Sequence, residues 1–277
     1  MRIKATKMDG CGNSFLVVDE MNTPLAGFDR SAIAKALANQ HDTDGILYVD
    51  VDQSEKMPSM KIFDCDGTEE TMCGNGLRCA TRYFRDTYVA YDNFSIVTGD
   101  GRKEVSVIND LTEVDLGVVR DYRQISDHMY FVFTGVPHIV VTGSEITLEH
   151  ARIMGKSLRE DRSLCAWVGH PEGVNVNFIW RDQEGIAVRT FEVGVEDVTL
   201  SCGTGSAASA FVATQVFGIS LPVITHSLGG RLRISEIGGH LSIRGQTRYQ
   251  GKVIGFVNTV YSKPIFPVDH RHHQHYW

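Results

Sequence analysis

The sequence predicts an α+β fold assembled from two copies of one domain, and three observations carry that prediction. Short runs rich in β-branched and aromatic residues recur between Gly, Asp and Asn along the whole chain, the pattern of many short strands. Helical patterns are few. Two of them open alike, with an acidic turn, a short apolar step and a Cys-Gly-x-Gly leading into small and apolar residues: DCDGTEETMCGNGLRCATRYF and EVGVEDVTLSCGTGSAASAFVATQVFG. The cysteines of these segments, Cys73 and Cys202, stand 129 positions apart. Solenoid repeats have periods of about 20–50 residues, so a spacing of nearly half the chain reads as a duplicated domain.

The strand runs are FLVVD at 15–19, ILYVDV at 46–51, MKIF at 60–63 and KEVSVI at 103–108 in the first half. MYFVFTG from Met129, HIVV from His138, VNVNFIW from Val174, IAVRTF from Ile186, and RLRISE and HLSIRG after Gly230 follow in the second. Helices are expected at RSAIAKALANQ from Arg30, with Asp29 as its cap, at LEHARIMGKSLRE from Leu148, and after each Cys-Gly-x-Gly. The stretch from Leu116 to Arg123 is the best boundary between halves, giving 1–117 and 118–245.

At 277 residues the chain has room for about two domains of roughly 150 residues. Its 42% hydrophobic and 22% charged residues are ordinary globular usage. The net charge of −7 comes without a basic stripe or an aromatic-basic cluster, which excludes the electrostatic footprint of a nucleic-acid binder. The first residues break their apolar stretch with Asp9, Gly10, Gly12 and Asn13 and make a poor signal peptide; no run reaches transmembrane length. A cytoplasmic protein with reduced thiols is expected, and no membrane partner. Cys65, Cys79 and Cys165 are expected to be packing residues, and Cys11 an ordinary loop or core residue.

A helix N-terminus offers unpaired N–H groups and a positive dipole end, so it attracts a carboxylate and lowers the pKa of a thiol placed there. If the two halves face each other, one carboxylate would sit between two such termini with a sulfur on each side of its α-carbon. One cysteine as thiolate would remove the α-proton while the other as thiol protonates the opposite face. Preorganised N–H donors would hold the charge that spreads onto the carboxylate, each worth about 2.7–4 kcal/mol where tested. That is racemase chemistry without an obligatory cofactor.

These residues resemble the diaminopimelate epimerases, through KMDGCGNSF, DGTEETMCGNGLRC, GVPH, GVNVNF and the CGTG turn, over nearly the full length. The resemblance implies two pseudo-symmetric domains, each a mostly antiparallel, barrel-like sheet wrapped round a central helix, with the site in the cleft between them. It implies that the segment from Gly245, residues 246–262, returns to complete the first half, leaving 263–277 as a tail. Cys73 and Cys202 fall on the catalytic pair of the family, and Gly74, Asn75, Gly203 and Thr204 on its carboxylate cradle. Asn13, His138, Asn175 and Glu192 fall on other substrate-site positions, Glu192 near a substrate amino group.

The distal pocket departs from the family pattern. Asp64 stands where the family has Asn, Val136 where it has Asn before Pro-His, and Val193 where it has the Arg that holds the far carboxylate of diaminopimelate. Valine cannot pair with a carboxylate, whereas the planar fork of Arg suits one. Two carboxylates, Asp64 and Glu192, would remain there, so the expected partner is a basic amino acid such as histidine, arginine, lysine or ornithine. Diaminopimelate is the alternative. A pyridoxal phosphate racemase would need a Schiff-base lysine and a phosphate loop, neither of which has a convincing context. A metal site is not expected, because Cys65, Cys73 and Cys79 fit no zinc spacing and the His270, His272, His273 and His275 tail reads as a disordered end or a weak adventitious metal binder. An amino-acid-binding protein without catalysis is the remaining class, and a homodimer is left open.

Overall fold

The computed structural model describes residues 1–52, 54 and 56–257. Residues 258–262, expected to end the closing segment of the first half, and the 263–277 tail lie outside them.

The chain opens with an antiparallel hairpin, β1 (Arg2–Gly10) and β2 (Asn13–Asp19). Helix α1 (Arg30–His41) crosses over to β3 (Gly45–Val51), parallel to β2, and β4 (Pro58–Asp64) returns beside β3 with the two-residue β5 (Glu69–Glu70) on it. Helix α2 (Gly74–Thr87) follows, then β6 (Asn93–Thr98), parallel to β4, and the antiparallel β7 (Gly101–Ile108) and β8 (Leu111–Gly117).

The same itinerary then runs again. β9 (Asp121–Ser126) lies antiparallel on β10 (Met129–Phe133), which pairs with β11 (Pro137–Thr142). Helices α3 (Leu148–Arg159) and α4 (Arg162–Val168) cross over to β12 (Asn175–Asp182), parallel to β11. β13 (Gly185–Glu192) turns back and carries β14 (Asp197–Thr199). Helix α5 (Gly203–Val216) leads to β15 (Val223–Ser227), parallel to β13, and to β16 (Gly230–Ile237) and β17 (His240–Gln246). β18 (Arg248–Phe256) lies antiparallel along the length of β1, as β9 does on β10, and β17 pairs with β8 to join the two runs.

Each run wraps its sheet round the helix that follows its cysteine. α2 packs on β1–β4, β7 and β8, and α5 on β10–β13 and β15–β17. Helix α5 is small and apolar on every side, and its residues from Gly203 to Ala210 are all buried; a helix that is apolar all round belongs in a core. Strands squeezed between an inner and an outer helix lose the usual alternation of polar and apolar residues. In β3, Leu47 and Val49 face the α2 side while Ile46 and Tyr48 join the α1 cluster with Ile33 and Leu37. Asp29 caps α1 as expected, accepting from Ala32 N at 3.1 Å.

All six cysteines are free thiols. Cys11, Cys79 and Cys165 are buried, but Cys65 is exposed rather than packed. It sits in the turn after β4, where its N–H reaches Asp44 O at 3.0 Å and its side chain is turned to solvent.

Candidate active site

Cys73 and Cys202 are the N-caps of α2 and α5, in matching extended conformations (φ −142°, ψ 120° and φ −115°, ψ 118°). Each sulfur accepts the N–H three residues on, Gly76 N and Gly205 N, both at 3.4 Å. The N–H groups of Gly74, Asn75, Gly203 and Thr204, at the first two positions of the helices, have no intrahelical acceptor. The helix starts meet. A Cβ on Gly203 would lie 3.3 Å from Gly74 Cα and 3.6 Å from Asn75 N, and one on Gly74 would lie 2.6 Å from Ile243 Cδ1. The glycines, expected to let backbone approach a ligand, also let the two helix ends approach each other.

Different side chains surround the two sulfurs. Cys73 Sγ donates to Asn13 Oδ1 at 3.8 Å, and Asn75 Nδ2 donates to the same oxygen at 3.5 Å and to Ser201 O at 3.0 Å. Asn75 Oδ1 accepts from Arg78 Nη2 at 2.7 Å, and Arg78 Nη1 donates to Gln246 O at 2.7 Å. This guanidinium is fully buried, and among the described residues it has no carboxylate partner. Cys202 Sγ lies 3.5 Å from Thr204 Oγ1, which lies 3.0 Å from His138 Nε2; Asn177 Nδ2 is 2.9 Å from His138 Nδ1, and Thr190 Oγ1 donates to Asn177 Oδ1 at 2.8 Å. Burial pushes His138 down to about 3, so its ring is neutral at any working pH.

Burial also reverses the expected effect of the helix ends on the thiols. It pushes Cys73 up to about 12, against the Gly76 N–H, with Glu192 adding to the rise. Cys202 is likewise held well above its usual range by burial and then by Glu192, against the Thr204 hydroxyl and the Gly205 N–H. Desolvation of an anion outweighs one or two N–H donors here.

The distal end is acidic. Glu192, at the end of β13, accepts from Thr199 Oγ1 and bonds to the Cys202 side chain, and burial raises it to about 7. Asp64, at the end of β4, is also raised to about 7, by burial and by Glu70, Asp66, Glu192 and Asp44. Among the described residues the Asp64 carboxylate accepts no hydrogen bond and pairs with no cation. Asp44 is held by Ser14, whose N–H and hydroxyl donate to Oδ2 at 2.6 and 2.9 Å. Carboxylates from both halves thus converge on one end of the cleft. Asn175 spans its wall, with Nδ2 on Pro137 O at 3.2 Å and Oδ1 accepting from Val193 N at 2.9 Å, and Val193 is partly exposed there.

The model of the family described as diaminopimelate epimerase matches residues 5–121. A diaminopimelate epimerase of Methanocella arvoryzae is 33% identical over 277 aligned residues, 91% of this chain and 97% of that protein. The chain belongs to the diaminopimelate epimerase family. It is therefore an isomerase, an amino-acid racemase or epimerase of the kind that needs no pyridoxal phosphate. The fold recurs at low identity in solved structures. The Bacillus anthracis phenazine biosynthesis protein of the PhzF family superposes with a TM-score of 0.73 at 13% identity, covering 93% of this chain and 100% of that one. A probable proline racemase from Agrobacterium radiobacter K84 gives 0.66 at 14%, covering 96% and 94%.

Within this family member, the candidate residues named from the sequence lie at the two helix starts or in the strands and turns around them. Arg78, Asn177, Thr190, Asp44 and Glu70 were not singled out. Asn177 had a signal, since VNVNF places two asparagines at i and i+2 on one strand face, opposite Val176 and Phe178. Arg78 follows Asn75 by three, one helical turn on. No group of three or more metal-ligating side chains occurs among the described residues, and no helix there is long and apolar enough to cross a membrane.

Proposed function

We propose that this chain inverts the α-carbon of a free basic amino acid, such as histidine, arginine, lysine or ornithine, with Cys73 and Cys202 as a two-base pair and no cofactor. The observation that carries the two-base reading is the meeting of two cysteine-capped helix starts, one from each half. The substrate carboxylate fits the N–H groups of Gly74, Asn75, Gly203 and Thr204. There it places the α-carbon between sulfurs and takes up charge as the α-proton leaves. One sulfur accepts that proton while the other delivers one to the opposite face. Glu192, bonded to Cys202 and titrating near neutrality, can exchange a proton with that thiol.

The substrate class rests on the distal end. Burial, together with Glu70, Asp66, Glu192 and Asp44, raises the cost of ionising Asp64, and burial, together with Asp44, raises that of Glu192; an ammonium, guanidinium or imidazolium placed among them offsets that cost. A second carboxylate at the same place would add to it. Diaminopimelate is the competing substrate, favoured by the name of the Methanocella relative. The test is loss of the α-proton NMR signal in D2O across a panel of L-amino acids: histidine, arginine, lysine, ornithine and LL-diaminopimelate. Exchange of a basic monocarboxylic amino acid supports the reading; exchange of diaminopimelate alone overturns the substrate assignment.

A further inference from the structure

Asp64 and Glu192 stand at equivalent places in the two halves, each closing the strand before a turn, and each turn rests on the outer helix of its own half. In the first half the turn after β4 is held by uncharged groups of α1: Ser31 Oγ donates to Gly67 O at 2.6 Å and Asn39 Nδ2 to Cys65 O at 3.3 Å. A Cβ on Gly67, whose φ is +92°, would lie 2.8 Å from Ser31 O, so helix and turn are in direct contact. In the second half the turn between β13 and β14 is held instead by two ion pairs from α3. Arg159 Nη2 donates to Glu196 Oε1 at 3.1 Å, and Arg152 Nε to Asp197 Oδ1 at 2.6 Å.

The two pairs are built differently. The Arg152 and Asp197 side chains are 51% and 49% exposed, and pairs so open to water contribute little. The Arg159 side chain is 20% exposed and its Nε is buried. Its guanidinium lies against Gly173, where an added Cβ would overlap Nη1 and Cζ, and where the backbone holds φ at +118°, a conformation that suits glycine. Gly173 leads through Val174 into Asn175, and Asn175 Oδ1 accepts from Val193 N on the turn at 2.9 Å. Glu196 has a left-handed φ of 56° and accepts from Gly194 N at 3.2 Å with the same oxygen that meets Arg159. Its own N–H donates to Glu192 O at 2.8 Å. Arg159 therefore bridges the segment entering β12 and the turn that carries Glu192 and Val193.

We propose that Arg159 is a positioning residue of the distal pocket, an assignment that rests on the substrate reading above. Its guanidinium bonds to the turn and not to either sulfur or the carboxylate cradle. By fixing the turn against β12 it sets where Glu192 and Val193 stand relative to Asp64, and so the room left for the far end of the substrate side chain. That end is distant from the reacting carbon and is held alike in the ground state and the transition state. Loss of the brace therefore raises KM and spares kcat. A merely structural role would do the reverse, lowering the folded fraction, and with it the apparent kcat, at an unchanged KM.

The test is steady-state racemisation of whichever amino acid of the panel exchanges, with thermal melts alongside. Arg159→Met keeps the stem of the side chain and removes its donors. It should raise KM about fivefold, equivalent to about 1 kcal/mol, with kcat within about twofold of the wild type. Arg159→Lys restores the charge and should recover most of the lost affinity. Glu196→Gln should raise KM in the same direction, and the double variant should be no worse than Arg159→Met alone, because both changes remove one contact. Arg152→Met should leave KM unchanged. An unchanged KM in Arg159→Met, a lower kcat at the wild-type KM, or an equal rise of KM in Arg152→Met overturns the proposal. If Arg159→Met melts too low to assay, Glu196→Gln against Arg152→Met decides by the same criteria. If diaminopimelate alone exchanges, the substrate reading has failed, and the same KM ratios measured on diaminopimelate still decide the role of Arg159.

Discussion

Replacing Asp64 by asparagine should stabilise the empty protein while weakening its hold on a cationic substrate. The folded-state pKa of Asp64 is raised from 3.8 to about 7, so between those values the folded chain binds more protons than the unfolded one. Stability therefore falls as pH rises from about 4 to about 7, and the penalty stays in full above that. At 1.36 kcal/mol per unit the ceiling is about 4 kcal/mol, and water reaching the half-buried carboxyl reduces it to about 1–2 kcal/mol. The amide of Asp64→Asn has no charge to desolvate, so the variant should melt a few degrees higher at pH 8, at about 2–4 °C per kcal/mol for a chain of this size. The gain should vanish by pH 4. Thermal melts of both proteins at pH 8 and pH 4, with and without a saturating basic amino acid, test this. The added ligand should raise the wild-type melting temperature more than that of the variant. A variant that melts at or below the wild type at pH 8 would refute the reasoning, because the carboxylate would then have a stabilising partner.

Cys73→Ala and Cys202→Ala should each abolish α-proton inversion while the circular dichroism spectrum stays native; full activity in either excludes the two-base mechanism. Val193→Arg combined with Asp64→Asn should gain activity on LL-diaminopimelate, by supplying a guanidinium and removing a carboxylate where a second carboxylate would sit; the gain is read as α-proton exchange of that substrate. Gly74→Ala should cost about 1–3 kcal/mol in urea denaturation by overpacking against Ile243 Cδ1, 2.6 Å from the new Cβ. Ile243→Val removes that atom, so the double variant should be more stable than the sum of the two single changes allows.

The parts of the fold that were legible are those with local signals. β2, β3 and β12 are near-continuous apolar runs because each lies between an inner and an outer helix, and α2 and α5 announce themselves by the same cysteine cap. β1 escaped although Arg2 and Lys4 alternate with Ile3 and Ala5, because the run holds a single β-branched apolar residue, Ile3. β18 has no local strand signal, because it is exposed nearly throughout and takes its partner, β1, from the far end of the chain, and the return of its segment is expected only through the resemblance. At the site, the thiols and the cradle are written twice in the sequence. The side chains that surround them are not, since Thr190 meets Asn177 only through the β12–β13 register and Arg78 meets Gln246 across 168 positions. The direction of the thiol pKa shifts also escaped, because a helix end is visible in sequence and the depth of its burial is not.

The central claim, that two sulfurs act on opposite faces of one carbon, is tested most directly by the deuterium content of both enantiomers early in a reaction run in D2O. A two-base pair predicts product carrying solvent deuterium at Cα while the remaining substrate still carries its original proton. Product that keeps the substrate's own proton, or deuterium appearing equally in both enantiomers from the first turnovers, would point to a single base and contradict the account.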